Sequence, residues 1–162
     1  MKKIASVLLA LLMLSAPLCF SVSAENSGEI RLISTSVERF EDGSYTVTTL
    51  WEEIPAGVAP NAVTSTRTGS KTKEWYDSDG DVLWSFTLHG TFTYGSGTSS
   101  CTGASYTHSE PGSGWSLDSA STHKSGNTAY GDAEFVKKFL FITVDSATVS
   151  LTLSCSPTGV LS

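Results

Sequence analysis

Three aspartates that alternate along a short polar segment are the residues of this sequence best suited to bind a metal. Asp77, Asp79 and Asp81 are spaced by two, with Gly80 between the last two. Carboxylate oxygens at this density are ligands that Ca²⁺ accepts, although the segment departs from the usual calcium-loop order and no closing glutamate follows. The competing interpretation, which we favour, is a hairpin turn whose aspartates cap their own backbone. No other cofactor is expected.

Three aromatic residues outside the strongest apolar runs are candidates for stacking on sugar rings. They are Trp51, Trp75 and Tyr76. Aromatic side chains carry a large apolar surface and, in Tyr and Trp, a polar group that hydrogen-bonds at a wet boundary. Packing in the core, or at its rim, is the alternative for all three.

Residues for catalysis show no productive arrangement in the sequence. A hydrolase needs a base that a carboxylate orients beside a nucleophile, yet His89, His108 and His123 match no Gly-x-Ser-x-Gly or His-Glu-x-x-His motif. Glu52 and Glu53 are neighbours, so in a strand they point to opposite faces and form no pair. We therefore expect a protein that is not an enzyme, and keep a small extracellular hydrolase as the weakest alternative.

The first 24 residues have the features of a secretory signal. Lys2 and Lys3 precede an apolar run at 4–14, and small residues end at Ala24. This order of a basic start, an apolar stretch and a small-residue cleavage site predicts export, with 25–162 as the mature, extracellular chain.

The charge balance narrows the range of partners. The full chain has a net charge of −6, and removal of 1–24 takes away two lysines and no acid, which leaves 8 basic against 16 acidic residues. An acidic protein is repelled by nucleic-acid phosphates and by anionic membrane surfaces. We therefore expect neither nucleic acid nor, after signal cleavage, membrane as a partner. Cell-wall glycan or an extracellular protein remains.

Two of the three cysteines belong to the mature chain. Cys19 leaves with the signal, and Cys101 and Cys155 remain. An even pair in an oxidising compartment predicts a Cys101–Cys155 disulfide.

Period-two alternation is the dominant structural signal. Residues 82–94 alternate apolar and polar side chains, as do 147–155, where Cys155 falls on the apolar face. Only a strand with one buried face satisfies this pattern. Gly90, inside the first run, is predicted to mark a bulge or a bend.

These strands predict an all-β fold, a two-sheet antiparallel β-sandwich. We divide the chain into the signal (1–24), an acidic hairpin (25–54), a hinge (55–60) and the sandwich domain (61–162), and leave open whether the hairpin docks. Cys101, Trp115 and Cys155 imitate the core of an immunoglobulin domain. However, Leu153 replaces the expected tyrosine, so we expect immunoglobulin-like packing with a different topology.

Part of the sequence resembles small secreted β-rich proteins of Gram-positive bacteria. The resemblance covers roughly 70–162 and rests on 83–94 (LWSFTLHGTFTY), Cys101, Trp115, 125–129 (SGNTA) and 151–162 (LTLSCSPTGVLS). That family brings no catalytic residues with it. The resemblance implies only an extracytoplasmic compartment, a disulfide and a β architecture.

The function that these observations favour is a non-catalytic binding module, or one associated with the cell envelope. An exported antimicrobial or toxin-like protein is the alternative. It would suit the small size and the strongly apolar run at 139–144, which Lys137 and Lys138 flank.

Overall fold

The computed structural model describes residues 29–54 and 64–162, and within them the chain forms eight β-strands and no helix. The strands are β1 (Glu29–Arg39), β2 (Tyr45–Ile54), β3 (Ser65–Tyr76), β4 (Val82–Gly95), β5 (Thr98–Ser109), β6 (Trp115–Ser125), β7 (Thr128–Phe139) and β8 (Ile142–Ser154). They make two antiparallel sheets, β1-β2-β3-β4-β5 and β6-β7-β8. The predicted all-β fold with two antiparallel sheets is confirmed.

Both sheets are simple meanders, because strands adjacent in sequence are also neighbours in space. An immunoglobulin domain instead returns strands by Greek-key connections. The chain crosses from one sheet to the other once, between β5 and β6. The topology therefore differs from that of an immunoglobulin domain.

The core lies between the two sheets and is built mainly on β4. Trp84, Phe86, Leu88 and Phe92 are fully buried on one face of this strand, as the alternation predicts. From the other sheet, Phe135 stacks on Trp84 with ring centroids 4.4 Å apart. The apolar face of β8 is buried as well, so the predicted faces of both long strands are confirmed.

Gly90 is required by close packing rather than by a bulge. It lies in register between Gly69 and Ala104, and the register shift between β4 and β5 falls one step later, between Thr91 and Phe92. A Cβ at Gly90 would lie 2.7 Å from the Phe92 ring. Of the two predicted alternatives, a bulge or a bend, the bulge at Gly90 is therefore wrong, and the small residue makes room for its neighbours.

The acidic hairpin forms one edge of the larger sheet. β1 pairs with β2, and β2 pairs with β3 along its length, from Tyr45 opposite Tyr76 to Glu53 opposite Thr68. The docking that the sequence left open is thus present. The expected signal (1–24) and hinge (55–60) lie outside the described residues.

The C-terminal residues fold back across one end of the sandwich. Ser162 and Ser154 exchange two backbone hydrogen bonds of 2.9 and 3.0 Å. This return places Leu161 in the core, against Gly69 of β3. The last turn therefore closes the end of the apolar core.

The predicted disulfide is absent, since Cys101 and Cys155 are both buried free thiols. Each sulfur lies near a backbone carbonyl oxygen one or two residues away in the sequence. Cys101 Sγ lies 3.3 Å from the carbonyl oxygen of Gly103, and Cys155 Sγ lies 3.5 Å from that of Ser156. The prediction of a buried Cys155 is confirmed, but the bond is not formed.

The two cysteines nevertheless approach the same turn from different sheets. The amide of Cys101 donates to Gly126 O at 2.8 Å, and the amide of Cys155 donates to Asn127 O at 3.1 Å. Backbone hydrogen bonds to the β6–β7 turn, rather than a covalent link, hold this end of the sandwich together.

Gly69→Ala tests the packing of Leu161 against β3. The new methyl would lie 2.4 Å from Leu161 Cδ1 and 3.0 Å from the carbonyl oxygen of Trp51, so it must displace core and backbone. We expect a loss of about 1–3 kcal/mol in unfolding free energy, measured by urea denaturation. Gly103→Ala is the matched control, because its methyl would meet only ordinary contacts at 3.6 Å. Equal effects of the two substitutions would contradict the packing.

The number of free thiols can be measured directly. Burial raises the pKa of the Cys101 thiol, so it is a poor nucleophile in the native fold. We expect both thiols to resist a thiol reagent in the native protein and to react once guanidinium unfolds the chain. An intact mass that is lower by two hydrogens, with no thiol released on unfolding, would restore the disulfide.

Candidate functional site

A row of five threonines crosses the larger sheet on the face that points away from β6, β7 and β8. Each strand contributes one residue, and each lies opposite the next in the strand pairing. The members of this threonine row are Thr35, Thr49, Thr72, Thr87 and Thr107. Neighbouring strands are about 4.8 Å apart, so the row spans the whole sheet as a band of hydroxyl groups. We call this side of the sheet the outer face.

A groove lies beside the threonine row. Trp51, Ser70 and His89 sit opposite one another on three successive strands, and the small serine separates the indole from the imidazole. These side chains line a cavity of about 220 Å³ together with residues that include Ile30, Glu53 and Thr68. The groove therefore combines aromatic, hydroxyl and carboxylate groups.

His89 is held as a neutral side chain in this groove. Its Nε2 atom lies 3.1 Å from the Thr107 hydroxyl. Partial burial lowers the pKa of His89 below its usual value of 6.5. The imidazole therefore contributes an uncharged ring and a hydrogen-bonding nitrogen near neutral pH.

A second aromatic group occupies the far end of the same face. Tyr45 and Tyr76 are stacked, with ring centroids 4.8 Å apart and an angle of 2° between the rings. The Tyr76 hydroxyl donates to Glu74 Oε2 at 2.9 Å. Trp51 follows Tyr45 by six positions along β2, which places the two aromatic groups roughly 20 Å apart. The threonine row lies between them.

Trp75, by contrast, faces the core. It lies opposite Trp84 in the strand pairing, and the two rings are 5.6 Å apart. Its other side stacks on Phe40 at 5.2 Å. Of the three predicted stacking residues, the structure therefore places Trp51 and Tyr76 on the outer face and Trp75 at the rim of the core.

The aspartate segment forms a capped turn. Asp77 Oδ1 accepts hydrogen bonds from the backbone amides of Asp79 at 3.0 Å and Asp81 at 2.9 Å. Gly80 supplies the positive φ of 91° that the turn needs. Within 29–54 and 64–162, no group of three His, Cys, Asp or Glu side chains is placed to hold a metal ion. The geometry supports the turn, and the calcium hypothesis for Asp77, Asp79 and Asp81 gains no support.

A carboxylate that the sequence did not mark as buried lies on the opposite side of the sheet. Glu52 is only 2% exposed. Its Oε2 accepts from Arg31 Nε at 3.1 Å, and its Oε1 is paired with Arg67. Arg67 in turn donates to the Tyr94 hydroxyl at 3.2 Å. Both carboxylate oxygens are therefore engaged with guanidinium groups, an arrangement that clamps strands rather than one that transfers protons.

The signal for this cluster was present in the alternation of β2. Leu50 is buried, and Glu52 follows it two residues later on the same face. A charged residue at an apolar position of a strand predicts a buried partner of opposite charge. Which arginines would meet it depends on the pairing of three strands and was not visible in the sequence.

The three histidines do not converge. His108 Nδ1 lies 2.7 Å from Glu110 Oε1. His123 stacks on Tyr130 on the smaller sheet, with 4.6 Å between ring centroids. His89 lies in the groove, so each histidine has its own surroundings.

Comparison with known proteins gives no relative: no protein-family model, curated protein or solved structure matches the chain. In the described part of the chain, no helix has the length and apolar character to cross a membrane.

Tyr76 provides a pH test of the far aromatic group. Burial, and next its hydrogen bond to Glu74, raise the pKa of Tyr76 from 10.0 to about 12. The neutral phenol thus stabilises the fold fully below pH 10, and this contribution is lost as the pH rises toward 12. We expect Glu74→Gln to lower the pKa of Tyr76 part of the way back, measured by alkaline absorbance titration. Tyr76→Phe identifies the signal, and an unchanged curve for Glu74→Gln would show that the contact is absent in solution.

Proposed function

We propose that this protein is a non-catalytic module that binds an extended, uncharged glycan of the cell envelope along the outer face. The observation that carries the proposal is the order of groups on that face. The groove of Trp51, Ser70 and His89 lies at one end, the threonine row in the middle, and the stacked Tyr45 and Tyr76 at the other end.

This order matches the two kinds of surface that a sugar ring presents. Its C–H face packs on an aromatic ring, and its hydroxyl groups need partners that both donate and accept hydrogen bonds. Threonine hydroxyls do both. A polysaccharide that reaches across roughly 20 Å would meet an aromatic group at each end and hydroxyls between.

Preorganisation supports binding by this face. Thr72 and Thr87 are joined by a hydroxyl–hydroxyl hydrogen bond of 2.8 Å, and Thr107 contacts His89 at 3.1 Å. β-Branched side chains have few rotamers, so little conformational entropy would be lost when a ligand binds. These hydrogen bonds hold part of the outer face in place before a ligand binds.

The uncharged character of the ligand follows from the charge of the protein. Glu53 at the groove and Glu74 beside Tyr76 add to the acidic excess of the chain and oppose polyanions at the outer face, whereas they leave a neutral glycan unaffected. The signal expected at 1–24 would bring the protein to such a ligand outside the cytoplasm. The burial of Cys101 and Cys155 suits that compartment, because neither thiol is accessible to oxidants.

Co-sedimentation with isolated Gram-positive cell walls and with insoluble neutral polysaccharides tests the proposal. We expect saturable binding that Trp51→Ala and Tyr76→Ala each weaken about tenfold, or about 1.4 kcal/mol. Tyr130→Ala is the matched control, because Tyr130 is a half-exposed tyrosine stacked on a histidine on the other sheet. It should bind like the unmodified protein.

Two results would overturn the proposal. One is the absence of saturable binding to every wall and polysaccharide preparation. The other is an equal loss of binding in Trp51→Ala and Tyr130→Ala, which would point to nonspecific adhesion. Thr49→Val, which keeps the shape and removes one hydroxyl, separates hydrogen bonding from stacking.

A further inference from the structure

The hairpin between β7 and β8 ends in an exposed apolar tip, formed by Phe139, Leu140, Phe141 and Ile142. Phe141 is 100% exposed, and the other three side chains are between 68% and 73% exposed. Val144, two residues further on, is 57% exposed. Single exposed apolar residues are ordinary, but a contiguous group of this size marks an interaction site.

The turn at this tip is built from residues that disfavour its backbone. Phe139 pairs with Ile142, so the loop has two residues, Leu140 and Phe141, with φ values of 48° and 69°. Two positive φ values in a two-residue hairpin are typical of a type I′ turn, which selects Asn-Gly. Bulky side chains are strained in this region. Neither folding nor solubility accounts for a leucine and a phenylalanine here.

Positive charge lies directly behind the apolar tip. Lys137 and Lys138 are exposed, and among the described residues neither forms an ion pair. Lys137 lies opposite Asp145 on β8 and opposite Trp115 on β6. The apolar tip thus has two ammonium groups without an ion-pair partner at its base, whereas Trp115 packs against the core.

Acidic residues lie at the same end of the molecule and contribute to the local charge near the apolar tip. Asp77 and Asp81 of the capped turn line a cavity together with Lys137. They belong to the turn between β3 and β4, whereas Lys138 directly precedes Phe139 in the chain. The charged residues of the hairpin nearest the apolar tip are therefore the two lysines and Asp145, whereas Asp132 and Glu134 lie further back along β7.

We propose that the apolar tip inserts into the interfacial layer of a phospholipid bilayer, with Lys137 and Lys138 at the level of the lipid phosphates. Residues 139 and 142 form the last pair of the hairpin, and 140 and 141 project beyond it. A flat protein surface would cover one side of this projection. Acyl chains surround it on all sides and accept apolar side chains of any orientation.

The two lysines suit this occupant. Ammonium groups pair with lipid phosphates while their alkyl stems stay with the apolar side chains. The expectation of no membrane partner rested on the net charge of the whole chain. Screening limits charge effects to about 8–10 Å, so the two lysines nearest the lipid count most.

This site goes beyond the proposed function, because it lies on the smaller sheet and uses none of the residues of the outer face. A protein with both sites could bridge glycan and membrane in a cell envelope. Each site is testable without the other.

The turn itself supplies the decisive variant. Replacing Leu140→Asn together with Phe141→Gly installs the preferred type I′ sequence, so the hairpin should become more stable, seen as a higher Tm. The same variant removes two of the four side chains of the apolar tip. We expect it to sediment with vesicles of phosphatidylcholine and phosphatidylglycerol at least about tenfold more weakly than the unmodified protein. Lost binding together with raised stability cannot come from misfolding.

Val160→Ser is the matched control, since Val160 is an isolated apolar residue, 64% exposed, at the opposite end of the sandwich. It should bind vesicles like the unmodified protein. Lys137→Gln with Lys138→Gln should reduce binding to vesicles that contain phosphatidylglycerol more than binding to pure phosphatidylcholine.

Three outcomes would overturn the proposal: no vesicle binding by the unmodified protein, equal binding by the Leu140→Asn and Phe141→Gly variant, or a concentration-dependent oligomer that this variant abolishes while vesicles bind nothing. The last would assign the apolar tip to a second copy of the chain. Glycan co-sedimentation of the same variant should remain unchanged, so failure at the membrane is distinguishable from failure of the proposed function.

Discussion

The contact between β4 and the smaller sheet is the interaction on which the rest of the structure depends. Trp84, Phe86, Leu88 and Phe92 are among the largest fully buried side chains of the described residues, and the stack of Trp84 on Phe135 joins the two sheets. Apolar burial of this kind is the dominant favourable term in folding. Directly paired residues of neighbouring strands point to the same face of a sheet. The inward face of β4 therefore decides which residues of the other four strands point to the core.

Because of that alternation, the side chains of the outer face do not pack in the core. Each residue opposite an outward-facing position of β4 also points outward, so threonines can align across five strands without cost to packing. Glu52 shows the other consequence. It falls on the inward face, and the fold accommodates it only because Arg31 and Arg67 on the flanking strands neutralise it.

The two surfaces that carry our proposals share one property: the packing of the core does not require them. The threonine row and its aromatic ends are compatible with many other polar side chains on a solvated face. The apolar tip is the stronger case, because its residues disfavour the positive φ angles of the turn and, being exposed and apolar, lower solubility. Sites where local sequence preferences and structure disagree are where function is expected, because folding alone would remove the conflict.

The sequence alone determined those features that depend on near neighbours. The alternation along β4 and β8 specified strands with one buried face, the Asp-Gly segment specified a turn, and the absence of helical periodicity specified an all-β fold. Turn chemistry and side-chain direction are set within a few residues, so they are visible without any tertiary information.

Only the tertiary structure decided what depends on register between strands. It brought Trp51, Ser70 and His89 together, turned Trp75 inward, and aligned five threonines that lie far apart in the sequence. It also left the Cys101 and Cys155 sulfurs unbonded, although an even number of cysteines in an oxidising compartment predicted a disulfide. A shift of one residue reverses every side chain of a strand, and no local pattern states which residue of one strand will face which residue of the next.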